Sequence, residues 1–104
     1  MHHIAIDEYV LDVLLPDLVG HDRSPGAFLV YLVLWTELYR IEQKRASMSL
    51  RRLAEGTGLS KSAVQAGLRL LKRRGLVAVT KKSATAVPEY ELLRHWVRRR
   101  AKRC

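Results

Sequence analysis

Up to Leu71 the apolar positions of this chain recur mostly at helical spacing; after Gly75 they alternate. Ile6–Leu15 (IDEYVLDVLL) puts Val10, Leu11, Leu14 and Leu15 on one face and predicts a short helix. Asp7 is its expected cap, with Asp7, Glu8 and Asp12 towards the end where the helix dipole favours negative charge. Pro16 is expected to break or restart this helix, leaving PDLVGHD as a turn and connector. Ser24-Pro25 then starts a second helix, a cap followed by proline at the first position, where the missing N–H costs nothing. That helix is predicted from Pro25 to about Arg45, with Phe28, Leu32, Trp35, Leu38 and Tyr39 as its core stripe. Leu29, Val30, Val33 and Leu34 keep its first half apolar nearly all round. Such a helix needs cover on every side. The N-terminal helix, a second copy of the chain, or both must provide it, and a homodimer through the N-terminal helix and residues 25–45 is the expectation.

Leu50–Arg74 (LRRLAEGTGLSKSAVQAGLRLLKRR) reads as two helices joined by a tight turn. Leu53 beside Ala54 gives the first a core residue next to a small one, where another helix can cross closely. Thr57-Gly58 supplies the break, because glycine tolerates left-handed backbone. Ser60 stands at the cap of the next helix, and Val64, Leu68 and Leu71 form its single apolar stripe. The opposite face carries Lys61, Ser62, Gln65, Arg69, Lys72 and Arg73, all donors suited to phosphates or base edges. Met48 marks a minimal strand before this pair of helices, with Ser49 as the cap of the first. Beyond Gly75, Leu76–Thr80 (LVAVT) and Tyr90-Glu91-Leu92 predict a two-stranded hairpin with Pro88 leading into the second strand. Its tip, KKSATAV, starts with Lys81 and Lys82 and contains no glycine.

LAEGTGLSKSAVQAGLRLLKRRGLV resembles the helix-turn-helix of bacterial winged-helix proteins, as in the GntR-like and MarR-like regulators and plasmid replication initiators. The resemblance rests on Leu53-Ala54, Gly58-Leu59, Ser60, Val64, Leu68 and the exit Gly75-Leu76-Val77, and covers about half the chain. It implies a mainly α fold with a small β-hairpin: a three-helix winged helix-turn-helix core at residues 24–97. Residues 1–23 would be an N-terminal helical extension and residues 98–104 a basic tail. It also implies that the second helix of the pair enters the major groove of double-stranded DNA. Ser60, Lys61, Ser62, Gln65, Arg69, Arg73, Lys81 and Lys82 are the expected DNA-binding residues. Transcriptional regulation is the expected use, with a replication-initiator or replisome-organiser module, or a winged helix that binds only protein, as alternatives.

Charge sharpens this picture. The net charge of +9 is split, with a balance of −3 over residues 1–45 and +12 over residues 46–104. A basic half beside a mildly acidic one implies one face for a polyanion and another turned away from it. In the last stretch, Leu93 and Trp96 are placed to tuck back onto the domain, whereas Arg98, Arg99, Arg100, Lys102 and Arg103 cannot bury.

Candidate chemistry is sparse. The single cysteine, Cys104, builds neither a disulfide framework nor a metal site and fits a reducing cytoplasm. The start of the chain has no secretory pattern, and the longest apolar run, Ala27–Trp35, is too short to span a bilayer. His2, His3, His21 and His95 lack metal-ligand spacing, no glycine-rich phosphate loop appears, and no nucleophile sits in a catalytic setting. The expectation is a cytoplasmic DNA-binding protein without cofactor or metal, and not an enzyme.

Overall fold

The computed structural model describes residues 2–97; the basic tail expected at 98–104 lies outside the described residues. Three α-helices and a three-stranded antiparallel sheet follow an N-terminal π-helical segment. This is the α+β architecture expected, compatible with a winged helix.

The N-terminal segment departs from the sequence reading. Val10–Leu14 and Asp17–His21 are both π-helical, so Pro16 neither ends the helix nor opens a connector. Proline lacks an N–H and collides with the carbonyl four residues back in a regular α-helix; a π turn, bonded five residues apart, relaxes that geometry. Leu15 N–H accordingly reaches Val10 O, and Asp22 N–H reaches Asp17 O. The wider turns also rotate the apolar face. Val10, Leu14 and Leu18 are buried, whereas Leu11 and Leu15, expected inside, are exposed. Asp7 does not cap with its side chain: its carbonyl accepts from Val10 N–H at 3.0 Å while its carboxylate serves the other end of the chain.

Helix α1 (Pro25–Ile41) starts as its sequence dictates, with Ser24 Oγ accepting from Ala27 N–H at 3.3 Å and proline in the first turn. It stops short of Arg45 because Glu42 takes the left-handed conformation, φ 53°. Its buried residues are Ala27, Phe28, Val30, Tyr31, Leu34 and Trp35; of the expected stripe, Leu32 and Leu38 are only half-buried and Tyr39 is exposed. The N-terminal segment, α2 (Leu50–Thr57), α3 (Lys61–Arg73) and the sheet all pack on α1. One chain therefore covers most of this apolar helix, and Val10, Leu14 and Leu18 belong to the same core cluster as Phe28, Leu53, Val64 and Leu71.

The sheet has one strand more than the predicted hairpin. β1 (Ala46–Ser47), β2 (Val77–Thr80) and β3 (Glu89–Leu92) lie in the order β1-β3-β2. Tyr90 sits between Ala46 and Val79, and Met48 N–H extends the β1 side to Pro88 O at 3.2 Å. The short connector before α2 thus becomes the edge strand that anchors the wing. At the other end, Trp96 tucks back as expected: its ring stacks on Tyr9 at 4.4 Å, and its Nε1 donates to Asp7 Oδ2 at 2.9 Å. Arg94 reaches the same oxygen at 3.2 Å, and Trp35 Nε1 donates to Ala5 O at 2.8 Å.

Candidate nucleic-acid interface

Helices α2 and α3 meet at a turn held by local hydrogen bonds. Thr57 Oγ1 donates to Leu53 O at 2.7 Å and accepts from Leu59 N–H at 3.2 Å. Gly58 has φ 78°, a left-handed value that a side chain would strain, and its N–H closes onto Ala54 O. Leu59 then turns inward beside Gly26 of α1, and Ser60 Oγ caps α3 by accepting from Ala63 N–H at 3.2 Å. The C-terminal end of α3 is a Schellman motif: Gly75 N–H bonds Lys72 O, Leu76 N–H bonds Leu71 O, and Gly75 has φ 70°. Both ends of α3 are therefore fixed by its own sequence.

The roll of α3 is fixed by packing. Val64, Gly67, Leu68 and Leu71 are buried. Gly67 faces the first turn of α1, where a Cβ would stand 3.1 Å from Ala27 Cα, so the two helices cross nearly backbone to backbone. The close approach expected at Ala54 of α2 is found instead at Gly67 of α3, a position the sequence pattern did not single out. With that face inward, Lys61, Ser62, Gln65, Ala66, Arg69, Lys72 and Arg73 are exposed along the outer side. Five of the eight expected contact residues, Lys61, Ser62, Gln65, Arg69 and Arg73, thus share one surface of α3. Ser60 lies at the head of that surface, its oxygen engaged as the cap and in a 3.2 Å contact with Ser62 Oγ. Lys81 and Lys82 stand apart from them, exposed at the start of the β2–β3 connector. Lys81 Nζ donates to Ala84 O at 3.1 Å, and Ala86 N–H bonds Ser83 O at 3.2 Å. The connector turns with no residue at positive φ, which accounts for a tip without glycine.

One member of the basic run Lys72-Arg73-Arg74 is withdrawn from this surface. Arg74 forks onto two carboxylates of the N-terminal segment, Nη1 to Asp22 and Nη2 to Asp17. The hydrogen bond to Asp17, with Asp22 alongside, holds the guanidinium above its ordinary pKa. Sequence reading missed this pair because Asp17 and Asp22 lie more than fifty residues away, in a stretch expected to be a loop. On α2, Arg51 pairs with Glu55 at 3.2 Å, and Arg52 pairs with Glu37 of α1 at 3.2 Å.

Among the described residues no group of three or more His, Cys, Asp or Glu side chains is placed to hold a metal. None of the described helices is long and apolar enough to cross a membrane.

Residues 38–80, from the end of α1 through β2, match the family model for the IclR helix-turn-helix domain. No curated protein and no solved structure matches the chain. The matched group differs from the GntR-like and MarR-like proteins and replication initiators; what the two likenesses share is the helix-turn-helix itself. The match covers less than half of the chain but includes all of α2, the turn and α3. Residues 38–80 are thus similar to the IclR helix-turn-helix domain, and this similarity supports DNA binding by the α2–α3 pair.

Proposed function

We propose that this chain is a sequence-specific transcriptional regulator that binds double-stranded DNA as a homodimer, and not an enzyme. The observation that carries the reading is the exposed surface of Lys61, Ser62, Gln65, Arg69 and Arg73 on the α3 helix matched by the family model. In this reading the N-terminal turns of α3 lead into the major groove. Gln65 pairs with adenine and Arg69 with guanine or a phosphate. Ser60, Lys61 and Ser62 position the backbone near the helix N-terminus, where amides and dipole favour phosphate. Arg73, Lys81 and Lys82 add attraction that carries no sequence information.

The dimer is supported by apolar side chains left uncovered on the elements expected to pair. Leu11 is 47% exposed, Leu15 37% and, on α1, Leu29 38%. These sit away from the buried Val10, Leu14 and Leu18 ridge that fastens the segment to its own chain.

Selection of bound duplexes from a random pool tests the reading. An enriched inverted repeat is expected, with two half-sites about one helical turn or a multiple apart. An enriched single half-site would remove the dimer, and a pool with no enrichment would remove sequence-specific regulation.

A further inference from the structure

A hollow of about 350 Å³ lies between the C-terminal half of α1, the α1–β1 connector and the end of β3. We propose that it is a binding site for a small organic anion, a carboxylate on a flat apolar body. The site is separate from the α3 surface, and the inference does not depend on DNA binding.

The apolar part of the lining is Trp35, Leu38, Tyr39 and Leu92. Two of these are aromatic rings, which favour a flat partner. The charged part is Lys44, Arg94 and Glu91. Glu91 is already answered, because Arg45 Nε lies 3.5 Å from its carboxylate. Lys44 has no ion-pair partner among the described residues. Arg94 is anchored over the Trp35 ring, 5.7 Å from its centroid, and gives one nitrogen to Asp7 while its other N–H groups remain. The hollow therefore presents one unanswered cation, Lys44, a second, Arg94, whose charge is shared with Asp7, a carboxylate answered by Arg45, and an apolar wall. That combination selects an anion with a hydrophobic body over inorganic phosphate, which gains nothing from the wall, and over a neutral ring, which leaves Lys44 unanswered. The volume lies at the small end of ligand pockets, suiting one or two fused rings. Because the wall comes from both α1 and β3, an occupant would tie the helix to the central strand of the wing.

The test is titration of the full chain with 1-naphthoate, followed by backbone amide shifts, with 1-naphthamide and inorganic phosphate as comparison probes. Expected are saturable shifts at Leu38, Tyr39, Lys44 and Leu92 with naphthoate, and at least tenfold weaker binding of naphthamide. Lys44→Gln, at an exposed position, should weaken naphthoate about tenfold with an unchanged folded spectrum, and Tyr39→Ala should weaken it as well. Three results would each overturn the site: equal binding of naphthamide, the same shifts with phosphate, or naphthoate shifts spread over the basic residues of α3 and unaffected by Lys44→Gln.

Discussion

Gly67 of α3 and Ala27 of α1 meet so closely that a Cβ on the glycine would stand 3.1 Å from the alanine Cα. This contact sets how far α3 sits from α1, and hence how much of its outer face projects. Alanine is favoured over glycine in a helix interior by about 1 kcal/mol. Here the atoms that must yield are backbone, and overpacking of that kind costs about 1–3 kcal/mol. Gly67→Ala should therefore destabilise the protein in urea unfolding. A stabilised variant would show that the helices part freely and that the crossing does not fix α3.

Arg74 and Arg73 are adjacent in sequence but are assigned opposite roles. Arg74→Ala leaves Asp17 and Asp22 without their forked partner and should cost about 1–3 kcal/mol of stability. The salt dependence of DNA binding should keep its slope. Arg73→Ala should do the reverse, leaving stability nearly unchanged and flattening the slope by about one unit. Exchanged behaviour of the two variants in paired urea and DNA titrations would contradict the assignment.

Ser60 has a structural duty whatever it meets outside. Replacing it with alanine removes the acceptor for Ala63 N–H and should lower stability by about 1 kcal/mol, whereas glycine should cost only a few tenths. Thermal melts of the two variants separate this capping loss from any effect on DNA affinity. Equal melting of Ser60→Ala and wild type would show that the cap contributes nothing.

Alkaline pH should weaken the fold through two tyrosines. Burial raises the pKa of Tyr31 and of Tyr90 above the ordinary phenol value. A raised folded-state pKa means that the native protein favours the neutral phenol. The contribution is complete below the unfolded pKa, about 10, and is lost as pH climbs through the folded values. The Tyr31 hydroxyl is buried without a hydrogen-bond partner among the described residues. Tyr31→Phe should therefore be neutral or stabilising by about 1 kcal/mol at neutral pH and should reduce the alkaline loss. Urea midpoints from pH 8 to 11 check both statements; a strongly destabilised Tyr31→Phe would mean that the hydroxyl is bonded after all.

The helix-turn-helix was legible because each of its signals is local. Ser49, Ser60, Gly58 and Gly75 act within a turn of their own positions, and a single stripe of Val64, Leu68 and Leu71 orients α3. The N-terminal segment was not legible for the opposite reason. Pro16 ordinarily ends a helix, whereas here the chain continues past it in π geometry with Leu14 and Leu18 buried in the shared core. The third strand was half visible: Met48 marked its place, but two residues become a strand only when β3 lies beside them. The outer face of α3 could be read from its periodicity. The pairing of Arg74 with Asp17 and Asp22 could not, since charge pairing across fifty residues leaves no trace in local pattern.

The most direct measurement of the central claim is fluorescence anisotropy of random-sequence duplex across a salt series. Wild type is compared with the triple variant Lys61→Ala, Gln65→Ala, Arg69→Ala, shown to be folded by its melting curve. Steeply salt-dependent binding that weakens strongly in the variant is expected and would place DNA on α3. Equal binding by both proteins would move the contact elsewhere on the basic half, and no binding even at low salt would contradict a DNA-binding role for this helix.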